Sequence, residues 1–431
     1  IYGQKGIGKT TLLLDFIKDK DSVYYLAGEA SARQQQYLMA QQFRNNNIRC
    51  GEYPSYEQLM QAFSDSCRDK KVLVIDEFEY LLQGESDLMD SLLSLLTEES
   101  EKQYMILLCS SSVSFVENRM VSKIGRAALS ISAFIKVKEI GFDKVKQAFP
   151  HYSANERIAL YAILGGVPAL WNCFDPEKTL VQNLCENLID PDSFLSREAT
   201  RYVRELVREG GVYYSILSAL GSGKDKLGDI YEHTGFSRAK ISVYLKNLME
   251  HEIAEKVFSL DTRGRDMQRK GIYRISNHFC NFYFRFLYPN QSMNRRLSPQ
   301  AFYDTYVSGQ LEDFCKPCFS AICRDYMEEL IMDDDFDFEV ADFGVFDGKE
   351  GLIDFLAMDE DEERCVAAFC CYDKPFMPYE FYEAALHTLQ SAKVPTDLIY
   401  LFSRDGFDEK VRLEAKVHPN VRLLSMQEWM D

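Results

Sequence analysis

The first residues of the chain combine glycines, a lysine and a threonine at the spacing that proteins use to bind phosphate. The stretch fits the pattern G-x-x-x-x-G-K-[ST], and its three glycines are Gly3, Gly6 and Gly8. Glycines let the backbone turn tightly, so its N–H groups can face phosphate oxygens. Lys9 supplies a positive charge for the β- and γ-phosphates, and the Thr10 hydroxyl is a ligand for Mg²⁺. The spacing predicts a site for ATP and Mg²⁺.

The residues after this loop are typical of a helix. Thr11 and the apolar residues up to Ile17 predict a helix whose N-terminus, with its partial positive charge, faces the bound phosphate. A strand-turn-helix junction with chance glycines is the alternative, and the full match to the pattern argues against it. Because such a loop follows a β-strand, we expect residues upstream of Ile1 to supply that strand.

Two carboxylates follow a short apolar run further along the chain. The run Val72–Ile75 is typical of a central parallel strand that is covered on both faces. Asp76, at the carboxyl end of this strand, can hold Mg²⁺ through water, and Glu77 can polarise the attacking water as a general base. An apolar strand followed by an acidic turn is the alternative, and the pairing with the glycine-rich loop favours the catalytic interpretation.

A third apolar run, Tyr104–Cys109, ends in Ser110. A hydroxyl at the tip of this strand suits a sensor between the attacking water and the γ-phosphate, and an N-cap serine for the next helix is the alternative. A further strand pattern covers 22–27, and helix patterns cover 30–43 and 56–68. This alternation of strands and helices predicts an α/β sheet with its ligand at the carboxyl edge of the strands.

The order of these motifs resembles a prokaryotic AAA+/STAND-like family of predicted ATPases. In that family a P-loop domain precedes a winged helix and a C-terminal domain of uncharacterised function. The resemblance is carried by Gly3–Thr11, Val72–Glu77 and Ile106–Ser114. It implies that Arg126, in a Gly-Arg signature, is an arginine finger or sensor, with a surface arginine as the alternative. It also implies that Pro168, in a Gly-x-Pro element of the lid, lies against the adenine, with a plain helix terminus as the alternative.

The succession of motifs predicts four domains. A P-loop ATPase core occupies residues 1–150, and a helical lid occupies residues 151–200. A winged helix-turn-helix, residues 201–290, is predicted from three helical patterns followed by two strands. The resemblance implies a restriction-endonuclease-like α/β fold for residues 291–431. The three helical patterns span 213–220, 227–233 and 237–250, and the two strands span 253–260 and 271–275.

Composition restricts how this chain could contact DNA. The formal net charge is −18, so the overall field does not attract nucleic acid. The segment 201–275, however, carries 14 Lys and Arg residues against 10 Asp and Glu residues. If the winged helix binds DNA, Arg238 and Lys240 lie on its recognition helix and the basic residues of the wing tip contact phosphates. The alternative is a winged helix that serves only to pack against other domains. The wing-tip residues are Arg263, Arg265, Arg269 and Lys270.

The C-terminal domain has an incomplete nuclease signature. An active nuclease of that fold needs an Asp and, on the next strand, Glu-x-Lys, because carboxylates hold Mg²⁺ and the lysine steadies the attacking water. Asp354 matches the first position. Phe369 stands where the Glu is needed, and Cys371 stands where the Lys is needed. Glu312 could supply a carboxylate but cannot restore the pair, so we predict a nuclease fold with a dead site.

These features predict a switch that binds ATP, hydrolyses it slowly and couples the nucleotide state to the winged helix and the C-terminal domain. The alternatives are a DNA-binding regulator and an ATP-dependent nuclease. The expected partners are ATP and ADP, an unidentified protein, DNA through the winged helix under the second alternative, and further copies of the chain in a homo-oligomer. No stretch reaches 18 consecutive apolar residues, so no membrane span is predicted. Twelve scattered Cys and the nucleotide motif favour the reducing cytoplasm.

Overall fold

The computed structural model describes residues 1–82, 87–97, 103–206, 210–260, 271–395 and 397–427. These residues form two compact units. The first unit comprises Ile1–Ile140 and the short segment Val167–Ala169, and the second comprises Gly141–Gly166 and Leu170–Asp431. The domain limits at 150, 200 and 290 remain predictions.

The first unit is built on a parallel sheet. Strands β1 (Ser22–Leu26), β2 (Lys70–Asp76) and β3 (Gln103–Leu108) lie in the order β1-β2-β3. All three strands were expected from the sequence, and β2 is the central one, buried over all but its first residue. The helices of this unit are α1 (Lys9–Ile17), α2 (Ala32–Asn45), α3 (Tyr56–Ser66), α4 (Leu88–Thr97), α5 (Val113–Asn118) and α6 (Met120–Ile124).

Helices cover β2 on both faces. Val72 and Val74 pack with Leu13 of α1 in one apolar cluster. Leu73 and Ile75 belong to a larger cluster, which they share with α2, α3 and α4. Because successive side chains of a strand point to opposite faces, a strand that is covered twice must be apolar throughout. This explains why the sequence of β2 shows a continuous apolar run and no alternation.

The glycine-rich loop starts beside the carboxyl end of β3. Tyr2 forms parallel bridges with Ser110 and Lys136, and its N–H donates to the carbonyl oxygen of Ile135 over 2.9 Å. The loop therefore lies at the edge of the sheet where the strands end. This is the edge at which parallel α/β sheets bind ligands.

The second unit begins with helices, as predicted for residues 151–200. α7 (Val145–Ala148) precedes α8 (Ala154–Leu164), and a capping box between Ser153 and Glu156 begins α8. Gly165, at φ +60°, ends α8, which confirms the predicted break at the paired glycines. The next helices are α9 (Pro168–Trp171), α10 (Leu180–Leu184) and α11 (Phe194–Leu206).

Three helices and an antiparallel hairpin follow. The helices are α12 (Gly210–Gly221), α13 (Leu227–Thr234) and α14 (Arg238–Glu250), and Ser237 caps α14 as predicted. Strands β4 (Ala254–Val257) and β5 (Ile272–Ile275) pair antiparallel. The predicted wing-tip residues Arg263, Arg265, Arg269 and Lys270 lie outside the described residues.

An aromatic helical region connects the hairpin to the C-terminal sheet. The aromatic residues between 279 and 286 are buried, which confirms that they form helix core and not an exposed stacking surface. They pack with one another and with Phe314, whose ring centroid lies 5.3 Å from that of Phe286. The helices of this region are α15 (His278–Phe282), α16 (Gln291–Asn294), α17 (Pro299–Phe302) and α18 (Leu311–Met332).

The C-terminal sheet is mixed. Its five strands lie in the order β12-β10-β8-β7-β6; β6, β7 and β8 pair antiparallel, and β8, β10 and β12 pair parallel. Helix α18 packs against β10 through the ring pair Tyr326–Phe402, and against Tyr372, the residue after β8, through Phe319. Helices α19 (Tyr379–Ala392) and α20 (Glu409–Val417) share the main apolar cluster of this sheet. The strands are β6 (Asp342–Gly348), β7 (Gly351–Met358), β8 (Cys365–Cys371), β9 (Phe376–Met377), β10 (Leu398–Ser403), β11 (Gly406–Phe407) and β12 (Val421–Ser425), with β9 and β11 as a separate pair.

No helix in the ranges given above combines the length and the apolar character that a membrane crossing requires.

Candidate nucleotide site

The glycine-rich loop encloses the side chain of Lys9. The Lys9 ammonium group is buried and donates hydrogen bonds to the carbonyl oxygens of Gly3 and Gln4, each over 2.8 Å. Burial lowers the pKa of Lys9, and the nearby carboxylates of Asp76 and Glu77 oppose that shift. The loop therefore holds one positive charge among backbone dipoles at the start of α1, as the sequence predicts.

Two glycines of the loop cannot be replaced without strain. Gly8, the residue before α1, has φ +99°, a conformation that L side chains rarely adopt. Gly3 has φ +156°, and a Cβ atom at this position would lie 2.5 Å from the carbonyl oxygen of Val137. These constraints explain two of the glycines that the pattern requires.

Asp76 accepts several hydrogen bonds at the end of β2. The Thr10 hydroxyl donates to its Oδ2 over 2.7 Å, and the Tyr24 hydroxyl donates to the same oxygen over 2.8 Å. The backbone N–H of Glu77 donates to its Oδ1 over 3.0 Å. The structure thus brings together Thr10 and Asp76, the two residues predicted to hold Mg²⁺. Their oxygen atoms are the type of ligand that Mg²⁺ prefers.

Sequence analysis missed Tyr24 as a residue of this site. Burial raises the pKa of Tyr24, and the hydrogen bond to Asp76 adds to the shift, so the phenol stays a proton donor. The residue reaches Asp76 because β1 pairs in parallel with β2, with Leu26 opposite Asp76. A tyrosine within an apolar strand gives no sign of this contact, since the register between the two strands is not visible in the sequence.

Glu77 is held in position by Ser111. Its backbone lies in the left-handed region at φ +53°, where a residue with a Cβ is strained and is often functional. The Ser111 N–H donates to Glu77 Oε2 over 3.1 Å, and the Ser111 hydroxyl donates to Oε1. Ser111 is the second residue that sequence analysis missed. The available signal was its place at the tip of β3, which we assigned to Ser110 instead.

The buried hydroxyl of Ser110 faces a different carboxylate. It accepts a hydrogen bond from the N–H of Ser112 over 3.0 Å and hydrogen-bonds Glu79. The N-cap of α5 is Ser112. The N-cap role that the sequence offered as the alternative for Ser110 therefore belongs to Ser112. The sensor role of Ser110 stays a prediction.

Glu79 is the third residue that sequence analysis missed. Burial raises its pKa to about 7, and the neighbouring carboxylate of Glu77 adds to the shift. Its Oε2 is buried without a hydrogen-bond partner among the described residues. The site therefore contains a carboxyl group that changes protonation near neutral pH, next to the predicted general base.

We expect the Glu79→Gln variant to be more stable than the parent at pH 8, by roughly 1 to 3 kcal/mol, and not at pH 5. The pKa of about 7 in the folded chain lies above the ordinary value of 4.5, so folding favours the protonated acid. Its contribution to stability is complete below about pH 4.5 and is lost as the pH rises through about 7. The variant avoids this loss because an amide stays neutral.

The measurement is urea unfolding of both proteins at pH 5 and pH 8, with Glu57→Gln, an exposed residue of α3, as the control. A stability difference that is the same at both pH values would contradict the raised pKa.

The segment Val167–Ala169 contacts the glycine-rich loop. The Ala169 N–H donates to the carbonyl oxygen of Gly6 over 3.2 Å, and a Cβ atom at Gly6 would lie 3.0 Å from Ala169 Cβ. Pro168, between Val167 and Ala169, is half-buried. The structure therefore places the predicted Gly-x-Pro element at the loop, and the contact of Pro168 with adenine stays a prediction.

Two further residues predicted for the nucleotide site do not take part in the hydrogen bonds described above. Thr11 is exposed on the first turn of α1. Arg126 is exposed after α6 and forms no hydrogen bond or ion pair within the described ranges. Both interpretations of Arg126, as an arginine finger and as a surface arginine, therefore remain.

Three of the C-terminal residues singled out by the nuclease signature lie on paired strands, Asp354 on β7 and Phe369 and Cys371 on β8. The Cys370 N–H donates to Asp354 Oδ2 over 2.9 Å. Asp354 is buried, and Glu312 pairs with Arg404 over 2.9 Å. Phe369 and Cys371 are members of the apolar cluster that β8 shares with α19 and α20. Within the described ranges no three His, Cys, Asp or Glu side chains are grouped to hold a metal ion.

The residues of this site lie in a part of the chain that matches a known protein family. Residues 1–171 match a family described as an ATPase domain found predominantly in Archaea. The part of the chain that holds the nucleotide site is thus similar to this ATPase domain. Residues 283–381 match a second family, described as archaeal and bacterial proteins of unknown function. The two matches confirm the predicted resemblance to ATPases that carry an uncharacterised C-terminal domain.

The chain is also similar to individual proteins. An uncharacterised protein of Methanocaldococcus jannaschii is 25% identical over 377 residues, which cover 85% of this chain and 80% of the relative. A solved Walker-type ATPase of Pyrococcus abyssi shares 15% identity at a TM-score of 0.48, covering 66% of this chain and 89% of that one. The Orc1 protein of Aeropyrum pernix, solved with DNA, shares 14% identity at a TM-score of 0.35, covering 69% of this chain and 87% of that one.

Proposed function

We propose that this ATPase binds ATP with Mg²⁺, hydrolyses it slowly, and uses the nucleotide state to change the conformation of its second unit. The contact between Gly6 and Ala169 supports the switch most directly. Val167–Ala169 belongs to the first unit, but the chain on both sides of it belongs to the second. A displacement of the loop by phosphate would therefore be passed along the backbone to α8 and α9.

The residues of the site suit the roles required. The Lys9 ammonium group would exchange the carbonyl oxygens of Gly3 and Gln4 for phosphate oxygens. Thr10 and Asp76 would hold Mg²⁺, which when bound neutralises charge on the phosphates. Tyr24 would keep Asp76 oriented through its hydrogen bond.

Glu77 would accept a proton from the attacking water. Ser111 holds both oxygens of this carboxylate, so the base is oriented before the substrate arrives. Glu79, with its pKa near 7, is a second carboxyl beside this base, and below neutral pH it would be uncharged. Slow turnover is expected because the exposed Arg126 forms no hydrogen bond or ion pair among the described residues, and an arginine finger from a neighbouring copy would accelerate it.

We further propose that α12–α14 with the β4–β5 hairpin form a winged helix, and that the C-terminal mixed sheet is a restriction-endonuclease-like fold without nuclease activity. The loss of Glu and Lys at positions 369 and 371 supports the absence of cleavage. On α14, Arg238 lies over the Tyr231 ring at 5.6 Å and Lys240 lies over the Phe236 ring at 4.8 Å. The DNA-binding regulator stays a second candidate, because both cations are nevertheless exposed.

We expect ATP to change the hydrogen exchange of α8 and α9 in the Glu77→Gln variant, which traps the ATP-bound form. Exchange is compared for the variant with ATP and with ADP, because a switch requires that the two nucleotides stabilise different conformations. A Lys9→Ala variant is the control and should show no nucleotide-dependent change. Identical exchange with ATP and ADP throughout the second unit would contradict the switch and leave only ATP hydrolysis.

A further inference from the structure

The second unit contains a cleft of about 1120 Å³ that the proposed ATPase function does not use. Its lining comes from α13 and α14, from the β4–β5 hairpin, from α18, and from strands β6–β8. Ser259, after β4, accepts a hydrogen bond from the Asp347 N–H of β6 over 2.8 Å. Leu260 packs into the apolar cluster of the C-terminal sheet. These contacts hold the hairpin against the sheet, so the cleft is a built feature of this unit.

The cleft concentrates positive charge in an acidic chain. The whole chain has a formal charge of −18. Among the described lining residues, seven are Lys or Arg and two are Asp. Like charges gathered at one place repel one another, and an anion that binds there removes this cost. The basic residues are Lys226, Arg238, Lys256, Arg274, Lys316, Arg324 and Lys349, and the acidic residues are Asp347 and Asp354.

Only some of these cations have a carboxylate partner. Arg274 pairs with Glu255 over 2.6 Å, and Lys316 pairs with Asp373 over 2.6 Å. Within the described ranges, no ion pair shorter than 4.0 Å involves Lys226, Arg324 or Lys349. These side chains keep their hydrogen-bond donors for a ligand.

Asp354, in the lining beside Ser320 and Cys370, does not offer a metal site. Its Oδ1 accepts a hydrogen bond from the Ser320 hydroxyl over 2.8 Å, and its Oδ2 accepts one from the Cys370 N–H over 2.9 Å. Both oxygens of this buried carboxylate are thus engaged with the protein. Asp354 joins α18 to the β7–β8 pair, and its charge opposes an anionic ligand without preventing binding.

We propose that this cleft binds a strand of nucleic acid through its phosphodiester backbone. The lining cations supply donors for successive phosphates, and arginine suits phosphate because its guanidinium presents paired N–H groups. The aromatic rings of Phe258, Tyr273 and Phe381 also line the cleft, and flat bases can stack on such rings, whereas the side chains of polyglutamate have no ring. The cleft shares Arg238 with the predicted DNA contacts of α14, whereas Lys240 is not in its lining. The proposal therefore extends the DNA-binding candidate above and does not depend on ATP hydrolysis.

The test is fluorescence anisotropy of the full chain with 20-nucleotide single-stranded DNA, duplex DNA and single-stranded RNA, each over a series of salt concentrations. The parent is compared with a Lys226→Ala/Lys349→Ala double variant. Lys246→Ala/Lys410→Ala is the matched control, because both of its lysines are exposed and neither lines the cleft. Removing two phosphate contacts should weaken binding at low salt at least about tenfold and reduce the salt slope by about 1.4 to 1.8.

A second variant changes the charge in the opposite direction. Asp354→Asn keeps an oxygen acceptor for the Cys370 N–H and removes the buried negative charge, so we expect it to tighten binding severalfold. The thermal unfolding of every variant is measured to confirm folding. The proposal would be overturned if none of the three nucleic acids binds at 50 mM salt, where such contacts are strongest. It would equally fail if the control pair loses as much affinity as the cleft pair, if polyglutamate competes as well as nucleic acid, or if Asp354→Asn abolishes binding.

Discussion

The Lys9→Ala variant is expected to lose ATP binding by more than about a hundredfold, equivalent to about 3 kcal/mol. Lys9 is a buried cation of the glycine-rich loop, and its ammonium group donates hydrogen bonds to the carbonyl oxygens of Gly3 and Gln4. Its replacement removes the charge that would meet the β- and γ-phosphates, and the loop's N–H groups alone cannot replace it. Isothermal titration calorimetry with ATP and Mg²⁺ measures the loss.

The matched control for this experiment is Lys18→Ala. Lys18 is exposed and follows the other end of α1, so its removal makes the same change in net charge away from the loop. Circular dichroism and thermal unfolding check that the variant is folded, since Lys9 also stabilises the loop. If the folded Lys9→Ala protein binds ATP as tightly as the parent, the assignment of the nucleotide site is wrong.

The Glu77→Gln variant is expected to bind ATP as the parent does and to hydrolyse it about 10² to 10³ times more slowly. A glutamine keeps Oε1 as an acceptor for the Ser111 hydroxyl, although its amide nitrogen cannot accept the hydrogen bond from the Ser111 N–H. It cannot take a proton from water. Steady-state phosphate release measures turnover, and calorimetry measures binding. Because binding should survive, this variant separates the proton-accepting role of Glu77 from a role in holding nucleotide.

Glu57→Gln serves as the control for Glu77→Gln, because it makes the same chemical change at an exposed position of α3. It should keep the turnover of the parent. Unchanged turnover in Glu77→Gln would show that another group activates the water, and Glu79 would then be the next residue to test. Loss of binding in Glu77→Gln would instead assign Glu77 to the metal or to the fold of the loop.

Local patterns in the sequence predicted helices α1 to α3, the three strands of the ATPase unit and the residues that carry its motifs. A continuous apolar run marked β2 because this strand is covered on both faces. The spacing of Gly3, Gly8 and Lys9 marked the loop because tight backbone turns demand glycine at set positions. Such signals lie within a dozen residues of one another, so they can be read without knowledge of the fold.

The sequence by itself determined the phosphate loop, the acidic end of β2 and the alternation of strands and helices that gives an α/β sheet. Only the tertiary structure decided which side chains surround them: Tyr24 on Asp76, Ser111 on Glu77, and Glu79 with a pKa near 7. It alone also assembled the basic cleft, whose residues range from Lys226 to Phe381 along the chain. The physical reason is that strand register, burial and charge clustering depend on residues far apart in sequence, and no local pattern encodes which of them will meet.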